Sequence, residues 1–309
     1  MKPKILCVGS GALGSYYTGI LQRGGAETAL LCRSDYETVK QNGICVKSCD
    51  GDFSYRPDHV IKSVDELPYK PDFIFVFLKV LPEIDLISTL SDVVTPRAAI
   101  VLVQNGIDIE TPIQQAFPEN EVIGGLAFIC CRRICSGQID HEDYGHIKIG
   151  TFPTGVTEKG KTVQQLFVSG GVDCQLTDDL IAARWEKLVW NAPFNPISAI
   201  LGGVNTVFML EDKSCYELCR NIMKEIVTLS KAHGHAIPES LIEKNLFYTQ
   251  NMVPYKTSMC HDFEGGRPLE VEAILGNSVK IADKLEIPVP HLKTIYALLK
   301  QVDRKLRGK

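Results

Sequence analysis

The chain opens on apolar runs that do not alternate. "KILCV" (4–8), "TALLC" (28–32), "DFIFVFL" (72–78) and "AAIVLVQ" (98–104) are nearly continuous, with helix-length segments between them. Strands covered on both faces read this way, so these runs predict a parallel sheet wrapped by helices. Residues 122–150 follow a different pattern. "EVIGGLAFICC", "GQIDHED" and "HIKIGTF" are shorter and divided by Gly and Asp, which predicts antiparallel additions to that sheet. A helix near 157–169 and a short strand at "DCQL" close this half.

Beyond Asp178 the period changes to that of helices. Leu218, Ile222, Ile226 and Leu229 share one face, with Ser214 and Glu217 as the expected capping box and Gly234 as the stop. Pro238 is expected to open the next helix. Leu292, Ile295, Leu298, Leu299 and Val302 repeat the pattern near the C-terminus. The expected domains are 1–177, an α/β unit, and 178–309, an all-α unit.

Composition adds limits. The chain has 309 residues, 45% hydrophobic and 23% charged, enough for two separate cores. No apolar run approaches the roughly 18 residues of a membrane span. The N-terminus lacks a signal-peptide pattern, so a cytoplasmic location is expected. A net charge of −4 gives no case for a nucleic-acid partner. The eleven cysteines show no paired CxxC spacing, so they are expected to be reduced and mostly buried, with no metal site. The oligomeric state is left open, with a homodimer as the assembly to test.

Chemistry enters at "VGSGALG". Gly9, Ser10, Gly11, Ala12, Leu13 and Gly14 follow a predicted strand and open a predicted helix, the context a dinucleotide-binding loop requires. Gly9 would make the tight turn, Gly11 admit a pyrophosphate, and Gly14 let helix pack on strand, with the helix N-terminus facing the phosphates. At the end of the second strand stands "LLCRSD": Arg33, with no acid before Asp35. A guanidinium pairs with a 2′-phosphate where a carboxylate would repel it, so NADP is expected rather than NAD. Lys79 and Asn105 end the third and fourth apolar runs, at the carboxyl edge of the sheet where ligands of such folds bind.

The helical half begins "RWEKLVWNAPFNPISAILGGVN". Lys187, Asn191 and Asn195 recur every four residues, a polar stripe among Trp185, Leu188, Val189 and Trp190. A solvated polar face would show the same spacing. Buried, the stripe needs partners.

The glycine loop, Lys79, "QNG" at 104–106, "KLVWNAPFNPISAI" and "TSMCHDFEGGRPLEVEAI" together resemble the ketopantoate reductase family over nearly the whole chain. The resemblance implies a Rossmann-type domain that binds NADPH and a helical domain that supplies a catalytic lysine. It implies reduction of 2-dehydropantoate, a small 2-oxo acid, to (R)-pantoate for pantothenate and coenzyme A. Carried over by position, Lys187 is the general acid and Glu270 the acidic site residue, also near the cofactor. Asn105, Asn191, Asn195, Asn205 and Ser258 become substrate contacts. Asn105 would also touch the cofactor, as would Cys131, where the family usually has alanine. The chain departs from the family's pattern at Leu81 and Pro82 and with "LEVE" where "T-E-x-D" is commoner. A reductase of another 2-oxo acid and a dinucleotide-binding sensor without catalysis are the competing readings.

Overall fold

The computed structural model describes residues 2–308. The chain divides into two compact units. One holds 2–79, 83–104 and 110–180. The other holds 181–308 together with two short segments of the N-terminal half, Val80–Pro82 and Asn105–Ile109.

The first unit is built on a single sheet. Its strands are β1 (Lys4–Val8), β2 (Glu27–Leu31), β3 (Ile44–Ser48), β4 (Phe53–Tyr55), β5 (His59–Ile61), β6 (Phe73–Val76), β7 (Ala99–Val103), β8 (Glu121–Cys135), β9 (Gln138–Thr151) and β10 (Cys174–Leu176). They lie in the order β4-β3-β9-β8-β7-β6-β1-β2-β5, with β10 against β9. From β5 to β8 every pairing is parallel, and the order reverses at β1, between β2 and β6. That reversal is the switch point of a Rossmann-type sheet.

Alternation explains the continuous apolar runs. Ile5, Cys7, Phe73, Phe75, Ala99 and Val101 face one core, with Tyr17 and Leu21 of α1 (Ala12–Arg23) and Phe167 of α5 (Glu158–Ser169). Leu6, Val8, Ile74, Val76, Ile100 and Leu102 face the other, with Leu90 and Ile113. These last two belong to α3 (Leu86–Ser91) and α4 (Thr111–Ala116). β1, β6 and β7 thus bury both their faces.

Two expectations for this half need correction. The segment between β2 and β6 is not one helix-length crossover. It holds α2 (Tyr36–Asn42) and three short strands, whose alternating and brief apolar patterns carry little signal. The pieces at 122–150 are two long strands, β8 and β9, paired antiparallel with register shifts. Tyr144 and Gly145, both at positive φ, lie in the irregular stretch that made β9 look like two pieces.

The second unit is helical: α6 (Leu180–Ile200), α7 (Thr206–Glu211), α8 (Lys213–Ala232), α9 (Ser240–Asn251), α10 (Ser258–Glu264), α11 (Asn277–Lys284) and α12 (Pro290–Leu306). A π-helical turn, Glu272–Gly276, leads directly into α11. Trp185, Phe194, Ile222, Ile226, Leu229, Leu292, Ile295 and Leu299 meet in its core. Both prolines of α6, Pro193 and Pro196, lie inside the helix, which continues through them.

The expected capping box of α8 is overturned. Asp212 caps the helix, accepting from the Cys215 N–H at 2.8 Å, so Ser214 and Glu217 lie within it. Asp212 forms the same three-residue loop of side chain to N–H that was assigned to Ser214, two residues earlier. Likewise α9 starts at Ser240 rather than at Pro238, whose carbonyl accepts from Leu241. Leu298, grouped with the buried face of α12, is 47% exposed. No helix among the described residues is long and apolar enough to cross a membrane. All eleven cysteines are free, but Cys45, Cys49 and Cys135 are exposed rather than buried.

Candidate functional site

In the first unit, the loop after β1 is shaped by its glycines. Gly9 has φ of 107°, a conformation side chains rarely adopt. A Cβ on Gly14 would stand 1.8 Å from the Gly9 carbonyl oxygen, so only glycine lets α1 start this close to β1. Gly11, the residue before α1, would meet nothing within 4 Å, which leaves room at the helix N-terminus for a phosphate. Ser10, Ala12 and Leu13 complete the loop; Ser15 Oγ donates to the Ser10 carbonyl at 3.1 Å. We expect Gly14→Ala to lower stability by about 1–3 kcal/mol through overpacking. A denaturation midpoint equal to that of the parent protein would refute the close-packing role.

Two further residues stand at this loop's surroundings. Cys131, on β8, points its thiol at the Ala12 carbonyl, 3.8 Å away, and burial pushes its pKa up, so it remains a neutral thiol. Arg33 follows β2 and is exposed. Asp35, two residues on, is 1% exposed and already engaged. It accepts from Arg133 at 2.6 Å, Ser34 at 3.0 Å and Ser136 at 3.3 Å. Its carboxylate is therefore committed to protein donors, and Arg33 is the charged side chain that this loop leaves in the open. Lys79 follows the end of β6, half-buried.

The second unit assembles the polar residues around Lys187. Its Nζ donates to Asn105 Oδ1 at 2.9 Å across 82 residues of sequence. Burial, together with the cationic Arg184 one turn earlier on α6, pushes the Lys187 pKa down to about 7; the Glu270 carboxylate opposes this. Arg184 is itself 3% exposed and reaches the Gly106 carbonyl at 3.4 Å. Glu270 Oε1 accepts from the Val80 N–H at 2.9 Å, tying two distant segments of this unit together. A lysine near neutrality, with an amide at hydrogen-bond distance and a carboxylate in its field, can donate or recover a proton near pH 7.

The other expected residues take different places. Asn191 and Asn195 continue the stripe along α6 and are 7% and 4% exposed. Asn205 caps α7, its Oδ1 accepting from Phe208 N–H at 2.9 Å, a structural duty that position alone did not indicate. Ser258 is exposed in the first turn of α10. Its neighbour Thr257 meets Ser198 Oγ at 2.9 Å, and Ser198 Oγ reaches the Asn195 carbonyl at 2.8 Å. That relay ties α10 to the asparagine stripe. Arg184 was missed; the signal was its three-residue spacing from Lys187, which places both cations on adjoining turns of one face.

Among the described residues, Cys49, Asp50 and His141 are near enough to share a metal ion, a grouping no sequence spacing suggested. The His141 ring nitrogens already meet Ser48 Oγ and the Tyr144 carbonyl oxygen, both at 2.9 Å.

A mostly parallel sheet with a glycine loop at its switch point in one unit, and a half-buried lysine held among polar side chains in the helical other, define a Rossmann-type oxidoreductase. Two family models match: ketopantoate reductase PanE/ApbA over residues 5–154, and its C-terminal part over 179–303. The chain is 37% identical to a 2-dehydropantoate 2-reductase of Nostoc sp., with 98% of this chain and 96% of that one covered. The crystal structure of 2-dehydropantoate 2-reductase from Methylococcus capsulatus is 44% identical and matches with a TM-score of 0.92, covering 98% of this chain and 97% of that one. The corresponding enzyme from Geobacter metallireducens is 35% identical with a TM-score of 0.91, over 96% and 99%. The chain belongs to the ketopantoate reductase family and is an oxidoreductase of that family.

Proposed function

We propose that the chain reduces 2-dehydropantoate to (R)-pantoate with NADPH, on the way to pantothenate and coenzyme A, and that Lys187 is the general acid. Residues 1–177 would hold the cofactor and 178–309 the substrate and the acid, with Asn105 contributed from the N-terminal half. The reading is supported above all by the Lys187–Asn105 contact in a setting that brings the lysine's pKa near neutral.

The cofactor supplies the hydride, and the protein supplies place and proton. In this reading Gly9, Gly11 and Gly14 admit the pyrophosphate, with Ser10, Ala12 and Leu13 framing it and Cys131 and Lys79 alongside. Arg33 meets the 2′-phosphate, a role favoured by the commitment of Asp35 to Arg133. As hydride reaches the ketone carbon, negative charge grows on its oxygen. The protonated Lys187 stabilises that charge and gives up its proton, leaving a neutral amine and the alcohol. Asn105 holds Nζ on line, and Glu270 favours the charged form of the amine. Asn191, Asn195 and Ser258 suit the hydroxyl and carboxylate of the substrate, because amides and hydroxyls both donate and accept, whereas Asn205 is committed to its cap.

The direct test compares NADPH consumption on 2-dehydropantoate with that on a panel of other 2-oxo acids. Highest kcat/KM on 2-dehydropantoate is the expected result. A faster member of the panel would replace the substrate and keep the lysine chemistry. Binding of NADPH with no turnover on any of them would leave a sensor.

A further inference from the structure

We propose that Asn277 is a positioning residue for the reaction, holding the Asn105–Ile107 segment so that Asn105 can orient Lys187. The proposal rests on the role given to Lys187 above, and it concerns a residue outside the motifs that carry the family resemblance.

The geometry begins with the π-helical turn. At its end the Asn277 N–H bonds to the Glu272 carbonyl, five residues back. In an ordinary α-helix that N–H would go to Ala273, four residues back. Here the Ala273 carbonyl accepts instead from the Ile107 N–H, at 3.2 Å. The Asn277 side chain completes the attachment: Nδ2 donates to the Ile107 carbonyl at 3.0 Å. Both backbone polar groups of Ile107, a residue only 1% exposed, are thus satisfied by one turn and the first residue of the helix after it. Left without partners, such buried groups would cost about 1–3 kcal/mol each.

The approach is close enough to demand glycine. Gly106 has φ of 114°, and a Cβ there would lie 2.5 Å from the Ala273 carbonyl oxygen. Two residues upstream of Ile107, Asn105 presents Oδ1 to Lys187 Nζ. The amide of Asn277 is itself oriented. Lys280 Nζ donates to its Oδ1 at 3.3 Å and pairs with Glu272 at 3.2 Å, while Tyr296 donates to the same carboxylate at 2.7 Å. A polar chain therefore runs from Tyr296 through Glu272, Lys280 and Asn277 to Ile107. Extra-residue turns of this kind often sit at functional sites, because they redirect a carbonyl that a regular helix would keep.

The test uses the full chain with Asn277→Ala and with Asn277→Asp, which keeps the size but cannot donate to Ile107. Both are expected to lower kcat about tenfold or more, since misplacement by about 1 Å can cost 10²-fold. KM and the NADPH dissociation constant should stay within a few-fold. In an Asn105→Ala background the Asn277 substitutions should cost little more, because their effect passes through Asn105. A purely structural role would instead add its full cost in that background. A second readout does not need turnover: the rate at which an amine-reactive reagent labels Lys187, followed by peptide mass spectrometry. Loosening the loop should raise that rate several-fold while exposed Lys231 and Lys244, which do not bond Asn277, keep theirs in the Asn277→Ala protein. If Lys187 labelling and kcat both match the parent protein in a folded Asn277→Asp variant, or if the losses in the two backgrounds are equal, the proposal is overturned. If 2-dehydropantoate is not reduced yet the labelling rate rises, the substrate assignment falls and the positioning role stands.

Discussion

Lys187→Ala is expected to lower kcat for the reduction by about 10²–10⁴-fold, the usual contribution of a positioned general acid. The NADPH dissociation constant should change little, because the glycine loop and Arg33 belong to the other unit. Lys187 is half-buried, and removing it leaves Asn105 Oδ1 without the donor now 2.9 Å away. Loss of turnover with intact cofactor binding and an unchanged thermal midpoint would confirm the role. A near-normal rate would remove Lys187 as the acid.

The same residue sets the pH dependence. Its pKa lies at about 7, against a usual value near 10.4, because burial and Arg184 both oppose the charged form. Reduction needs the protonated amine, so kcat/KM should be level below pH 7 and fall above it. A lysine with an ordinary pKa would hold the plateau beyond pH 10. For the reverse oxidation the neutral amine is the required form, so that rate should rise over the same range. A profile for reduction that stays level to pH 9, with binding unaffected, would contradict the assignment.

Arg33→Asp should carry the second large effect, weakening NADPH on the order of 10²-fold and leaving NADH nearly unchanged. A charge-assisted hydrogen bond contributes about 1.5–3 kcal/mol, and a carboxylate in its place adds repulsion to the lost attraction. Asp35 does not already perform that repulsion, since it is buried against Arg133, Ser34 and Ser136. Titration of each cofactor against the variant measures the ratio. An unchanged preference would show that Arg33 does not meet the 2′-phosphate.

Much of this molecule was written locally in the sequence. The strands of the Rossmann-type sheet were readable because burial on both faces leaves unbroken apolar runs, as in Phe73–Val76 and Ala99–Val103. The glycine loop was readable because its constraints are local: a positive φ at Gly9 and no space for a side chain at Gly14. Lys187, Asn191 and Asn195 were readable because a helix brings every fourth residue to nearly the same side.

What tertiary structure decided has no local signal. Asp35 could have been a ribose ligand on spacing alone, and only its contact with Arg133, 98 residues away, shows it committed. Asn205 could have been open to a ligand, and it caps α7. Glu270 bonds Val80 across 190 residues, and Asn277 bonds Ile107 across 170. Helical period and apolar runs report which face of an element is buried. They do not report which carbonyl a distant loop will take, because that depends on how the chain closes on itself.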